Sequence, residues 1–172
     1  MIVRQLTRED LFAGFVEALG SLAEVGINSP ARLLELYDLR QRQGVLTFVC
    51  VEHDRVLGTA SLVVEQKFIH GGGKVGHVED VAVHPGHQSR GVGRRLVGHA
   101  VEQASRHGCY KVILNCSDRL VGFYGLAGFR PRTNGMRLDL TPHAAQTATG
   151  PTPARCEAPA PDLAYPVRGL TG

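Results

Sequence analysis

Nowhere in this chain do two cysteines stand at the spacing of a redox or zinc motif. Cys50, Cys109, Cys116 and Cys156 form neither a CxxC pair nor an even framework, which argues against a disulfide scaffold and structural zinc and leaves reduced thiols. His77-Val78-Glu79 matches one half of a zinc deaminase motif, but the Pro-Cys-x-x-Cys half is missing. No Gly-x-Ser-x-Gly occurs, so His70-Gly71-Gly72-Gly73 reads as a glycine turn between strands rather than an oxyanion segment. An apolar stretch of membrane-spanning length is missing too, as is a charged segment followed by an apolar one near Met1. The expectation is a cytoplasmic protein without membrane attachment. Charge of one sign is also scarce: the formal net charge is +3, with 8 histidines, too little to imply a nucleic-acid partner. No internal repeat is present.

What is there suits one globular domain. The 172 residues are 43% hydrophobic and 20% charged, enough to bury a core without staples. Beyond Leu140 the composition shifts, with six of the nine prolines between Pro142 and Pro166. A segment so poor in apolar surface cannot offset its ordering entropy, so 1–140 is expected to be the domain and 141–172 a disordered Pro/Ala-rich tail.

Patterning within 1–140 alternates between strand and helix periods. Met1 to Gln5 reads as a strand, and Thr7 with Asp10 opens a helix reaching Val25. Ser29-Pro30 caps a second helix running towards Gly44. Val45 to Glu52 and Val56 to Glu65 form a hairpin, with the second strand continuing through Lys67 to His70 before the glycines turn it into Val75 to Val83. Val92, Leu96, Val97, Ala100, Val101 and Ala104 make a helical stripe ending at Gly108. Tyr110 to Cys116 reads as a buried strand, Asp118 to Ala127 as a short helix, and Arg130 to Leu140 as a hairpin around Asn134-Gly135. The fold class is therefore α/β, a mixed, largely antiparallel central sheet flanked by helices.

The chemistry concentrates where the strand ending at Val83 runs into Gln88-Ser89-Arg90-Gly91-Val92-Gly93. Glycines here let the backbone turn into a helix start, whose free N–H groups and positive dipole end face an anion. Arg90, Arg94 and Arg95 add fixed charge to the same turn. Such a cradle fits the pyrophosphate of a small ligand better than a polynucleotide.

This element order, with Gln88 to Gly93 matching a (Gln/Arg)-x-x-Gly-x-(Gly/Ala) signature, resembles the Gcn5-related N-acetyltransferase superfamily. Gly76-His77-Val78-Glu79-Asp80-Val81-Ala82-Val83, Gly108-Cys109-Tyr110-Lys111-Val112-Ile113-Leu114 and Phe123-Tyr124-x-x-x-Gly128-Phe129 are similar to the branch that acetylates glucosamine 6-phosphate. The likeness covers most of 1–140. It implies acetyl-CoA as cofactor, no metal, an amino sugar phosphate as substrate, direct attack in a ternary complex, and a homodimer built through the final strand.

The resemblance also implies roles. Val81, Ala82 and Val83 would offer backbone groups to the thioester arm, and Gln88, Ser89, Arg90, Gly91, Val92, Gly93, Arg94 and Asn115 would hold the rest of the cofactor. Tyr124 would face the thioester sulfur. A thiol near pKa 8.5 against a tyrosine near 10 makes full proton transfer uphill by roughly 2 kcal/mol, so a hydrogen bond to the departing sulfur is the expected service. Glu79 and Asp80 would bind the sugar, with Glu79 aiding amine deprotonation; on a regular strand they point to opposite faces, so a bulge is expected. Lys67, His70, Tyr110 and Lys111 match the remaining sugar-phosphate positions. Ala23 stands where that branch carries threonine, Asn115 replaces aspartate, Leu120 replaces asparagine, and Asp139 holds the place of a terminal-strand arginine. Two rival readings remain: acetylation of another small amine or a protein N-terminus, and a non-catalytic acyl-CoA binding module.

Overall fold

The computed structural model describes residues 1–27, 29–132 and 134–139. Met1–Gly135 forms one unit, and Met136–Asp139 belong to a second. The first unit is built on an open five-stranded sheet of β1 (Ile2–Gln5), β2 (Leu46–Glu52), β3 (Arg55–Gln66), β4 (Lys74–Val83) and β5 (Cys109–Ile113), paired in that order. The first four strands are antiparallel and β5 runs parallel to β4. A parallel neighbour requires a crossover, and α3 (Val92–Arg106) supplies it. The mixed, largely antiparallel architecture read from the sequence is the one found.

Local chemistry explains the joints. His53 and Asp54 both take positive φ, 48° and 57°, the two-residue turn whose twist matches a hairpin. The stripe on α3 buries Val92, Leu96, Ala100 and Ala104 against Phe48, Leu62 and Val78. A Cβ at Gly76 would stand 3.1 Å from the Ala104 Cβ, so glycine lets the helix lie close on β4. The opposite face of the sheet packs Leu11, Phe15, Ala18 and Leu33 on Val49, Val51 and Val56. Residues from α1 (Phe15–Leu19) and α2 (Pro30–Arg42) contribute there. Ser29 Oγ accepts the Arg32 N–H at 3.2 Å with Pro30 at the first helical position, as the sequence implied.

Three expectations need correction. The helix expected from Thr7 to Val25 is a 3₁₀ turn at Glu9–Phe12 followed by the five-residue α1. Gly14, at φ 108°, breaks it: the Ala13 carbonyl accepts the Val56 N–H at 2.8 Å, and a Cβ at Gly14 would meet the Val56 carbonyl at 2.9 Å. The Asp10 carboxylate does accept the Thr7 N–H at 2.8 Å, so the cap is real and the helix short. Second, β3 ends at Gln66, placing Lys67 and His70 in the β3–β4 loop rather than on the strand. His70, Gly71 and Gly72 all take positive φ, and the Lys67 N–H returns to the Gly73 carbonyl at 2.9 Å, which closes the loop. Third, the hairpin across Arg130 to Leu140 shows no strand among its described residues. Pro131 has no N–H for a ladder, and Met136 and Leu138, 98% and 83% exposed, find no partner strand there. Leu140 and the tail 141–172 lie outside the described residues.

Candidate active site

Strand β4 carries the centre of the site, and its register is broken where the sequence needed a bulge. Ser61 pairs with Glu79 and Thr59 with Ala82, so Asp80 and Val81 together oppose the single residue Ala60. Asp80 takes φ 51°. The extra residue defeats strict alternation, and both Glu79 and Asp80 are exposed as neighbours.

The same strand leaves its partner. Pairing with β5 runs only from Lys74 to His77, ending at Ile113. From Val78 to Val83 the β5-facing edge of β4 has no partner strand among the described residues, so backbone groups along Val81, Ala82 and Val83 on that edge are open to a ligand. The gap leads towards the glycine turn. Ser89 and Gly91 take φ 63° and 78°, and Gly91 stands at the head of α3 with no side chain capping the helix. A Cβ at Gly91 would meet nothing within 4 Å; the turn is open, its helix start uncapped, and the residues present fit an anionic pyrophosphate. Gln88, Val92 and Arg94 lie along the same turn and first helical residues. Arg90, however, donates to the Glu52 carboxylate at 2.8 Å and to His87 Nδ1 at 2.7 Å. Glu52 is consequently held below the usual carboxylate range, first by its hydrogen bond from Arg90.

Tyr124 lies on α4 (Val121–Gly125), locked by an edge-on contact with Phe123 at 4.9 Å and another with Phe129 at 6.1 Å. A Cβ at Gly93 would stand 3.2 Å from the Phe123 ring, so the first turn of α3 and the helix bearing Tyr124 are in contact. Burial raises the Tyr124 pKa above the ordinary 10.0, and the neighbouring Cys116 and Glu79 raise it further. Tyr124 thus lies within electrostatic reach of Glu79 and of Cys116, whose thiol is exposed.

The remaining candidates divide. By register Lys111 opposes Val75, two pairs from Glu79 along one face. Its ammonium lies over the Tyr110 ring at 5.6 Å, and Tyr110 contacts the His70 ring at 4.8 Å. Lys67 is already engaged: its Nζ meets Glu65 at 2.5 Å, and the same carboxylate bonds His77 Nε2 at 2.8 Å. The link from Glu65 to His77 spans twelve positions, and no local spacing announces it. Asn115 Oδ1 sits 3.3 Å from where a Cβ at Gly135 would be. Among the described residues no group of three His, Cys, Asp or Glu side chains could hold a metal, and no helix is long and apolar enough to cross a membrane.

An open sheet splayed between a bulged antiparallel strand and a parallel one, with a glycine cradle at the mouth, defines an acyl-group transferase of the acetyl-CoA type. The family model described as the acetyltransferase (GNAT) family matches residues 12–129, and this chain belongs to that family. Glucosamine 6-phosphate N-acetyltransferase of Trypanosoma brucei brucei is 40% identical over 140 residues, covering 80% of this chain and 95% of the relative. Glucosamine 6-phosphate N-acetyltransferase 1 of Oryza sativa subsp. japonica is 40% identical over 143 residues, 79% of this chain and 85% of the relative. Among solved structures, a Trypanosoma brucei acetyltransferase superposes with a TM-score of 0.75 at 40% identity, over 81% of this chain and 99% of that one. The glucosamine-6-phosphate N-acetyltransferase of Arabidopsis thaliana gives a TM-score of 0.78 at 28% identity, over 81% of this chain and 98% of that one. The chain is an acetyltransferase.

Proposed function

We propose that the chain transfers acetyl from acetyl-CoA to the amine of glucosamine 6-phosphate by direct attack in a ternary complex. The observation that carries this is a fold shared along nearly the whole length of relatives so named, with the bulged, exposed Glu79 and Asp80 where β4 parts from β5. Bound acetyl-CoA supplies an activated acetyl thioester. The uncapped start of α3 with Ser89, Gly91, Gly93 and Arg94 holds the pyrophosphate, and the open edge at Val81 to Val83 orients the arm.

Tyr124, its proton held firmly by the raised pKa, donates a hydrogen bond to the departing sulfur. Asp80 holds the sugar and Glu79 takes the amine proton, directly or through water. A sugar amine near an α-amino pKa of about 8, rather than lysine's 10.4, makes deprotonation easier by about 3 kcal/mol, so one carboxylate suffices without a histidine base. Lys111 and Lys67 face the phosphate, Lys67 exchanging Glu65 for it, while His70 and Tyr110 border that end. The protein acts as a cytoplasmic homodimer.

A panel of amines assayed with acetyl-CoA tests the reading: glucosamine 6-phosphate should be acetylated with a higher kcat/KM than glucosamine, spermidine or a peptide amine. Faster turnover of either of the last two would replace the acceptor and keep the family. The departures at Ala23, Asn115 and Asp139 are what favour that second outcome.

A further inference from the structure

We propose that Arg40, supplied by α2, binds the anionic group of the acceptor and sets its preference for a phosphorylated sugar; the inference rests on the acceptor reading above. Arg40 lies in the last turn of α2, yet its side chain is not given up to solvent. Its Nη2 donates to Ser61 Oγ at 2.6 Å and Thr47 Oγ1 at 3.3 Å. Both hydroxyl residues are at most 3% exposed, so the guanidinium is laid on the sheet. Ser61 is the direct cross-strand partner of Glu79, and paired residues share a face. The cation therefore lies about one strand spacing, roughly 4.8 Å, to the side of the proton acceptor's strand.

What is missing around Arg40 matters as much. Arg4, Arg8 and Arg90 each meet a carboxylate, at Asp10, Asp38 and Glu52. Among the described residues none lies within 4.0 Å of Arg40, whose two bonds engage a single nitrogen. A guanidinium offers five donors in a planar fork. A half-buried cation has lost part of its hydration without a counter-charge, and a bidentate phosphate restores both. Lys67 meets Glu65 and Arg137 meets Asp139 at 2.5 Å, and Lys111 lies over the Tyr110 ring at 5.6 Å, so Arg40 would add a cation on the β3 side of β4 to the lysines already placed at the phosphate. In a 2-amino sugar 6-phosphate the amine and phosphate stand across the ring from each other. With the amine at Glu79 and Tyr124, the phosphate falls to a cation lateral to β4 on the same face.

Steady-state kinetics of Arg40→Gln and Arg40→Lys with glucosamine 6-phosphate and with glucosamine, alongside acetyl-CoA KM and thermal midpoint, test this. Arg40→Gln should raise KM for the phosphorylated sugar about tenfold or more with kcat little changed, because a charge-assisted contact is lost. The kcat/KM ratio between the two sugars should fall by the same factor, and Arg40→Lys should recover part of it. Ser61→Ala, which removes the anchor but keeps the charge, should lower the ratio less. If Arg40→Gln lowers the midpoint and slows both sugars equally, Arg40 merely docks α2 and the proposal falls. A wild-type preference for the phosphate that survives Arg40→Gln overturns this role alone. A wild-type enzyme indifferent to the phosphate overturns the role and the acceptor reading together.

Discussion

The Tyr124 phenol and the Glu79 carboxylate are close enough that the carboxylate's charge, added to burial and to Cys116, raises the phenol's pKa above 10.0. They come from different elements, α4 and β4, forty-five positions apart. A carboxylate there can accept a proton and a phenol that keeps its proton can donate a hydrogen bond, the two services that the proposed thioester aminolysis requires.

Replacing Tyr124 by Phe should lower kcat by roughly tenfold or more while acetyl-CoA affinity stays nearly constant, because the lost bond strengthens as charge develops on sulfur. Because the phenol's pKa is raised, it keeps its proton through the ordinary tyrosine range. The wild-type rate should therefore show no basic limb attributable to Tyr124 below about pH 10. Rapid-mix single turnovers across pH read both effects; an unaltered chemical step in the variant removes the assignment.

Gly91 is strained for any other residue by its φ of 78°, at a cost of about 1–2 kcal/mol, yet a side chain there would meet open space. Gly91→Leu should fold, with a thermal midpoint a few degrees lower, but lose the stabilisation by acetyl-CoA, since its side chain would fill the cradle. Differential scanning fluorimetry with and without acetyl-CoA measures this. A full ligand shift in Gly91→Leu would move the cradle elsewhere.

How much of this could be read beforehand depends on sequence distance. The α3 stripe and the Gln88–Gly93 turn are local, and local periodicity located them. The bulge at Asp80 was legible only through the family resemblance, which places both adjacent carboxylates at the sugar. By contrast, Gly14 looked like an ordinary position in an amphipathic run; the carbonyl that forbids a Cβ there belongs to Val56, forty-two positions away. Arg40 over Ser61 and Glu65 between Lys67 and His77 depend on sheet register, which hydrophobic patterning does not encode residue by residue.

Glu52 holds Arg90 of the cradle at 2.8 Å, standing in for an anion. Glu52→Gln should release Arg90 and tighten acetyl-CoA binding by a few-fold without altering kcat, the gain shrinking as salt rises. Titration calorimetry at two ionic strengths checks it, and weaker binding in the variant would mean that Glu52 positions Arg90 rather than competes for it.

Asp10 is 5% exposed. Burial would raise its pKa, but hydrogen bonds from Arg4 and from the Thr7 backbone and hydroxyl overcome that and leave it lowered. A depressed folded-state pKa contributes stability above the unfolded value of about 3.9 and loses it as pH falls through the folded value. Asp10→Asn should therefore destabilise by about 1.5–3 kcal/mol at pH 7, the deficit narrowing as acidification through and beneath the ordinary carboxylate range protonates Asp10. Urea unfolding at pH 7 and at acid pH reads the two ends; a deficit independent of pH would assign the effect to packing instead.

Met136 and Leu138 alternate with Arg137 and Asp139 and stand almost fully exposed, a strand-like sequence pattern without a strand among the described residues. An exposed segment with this alternation could pair with a second copy, which is how the proposed homodimer would form. Met136→Lys with Leu138→Lys should then halve the mass seen by light scattering at assay concentration and depress kcat/KM for the acceptor, leaving the monomer folded by circular dichroism. A wild-type mass equal to one chain would end the dimer proposal, and a monomeric double variant with full activity would show that each site is complete within a single chain.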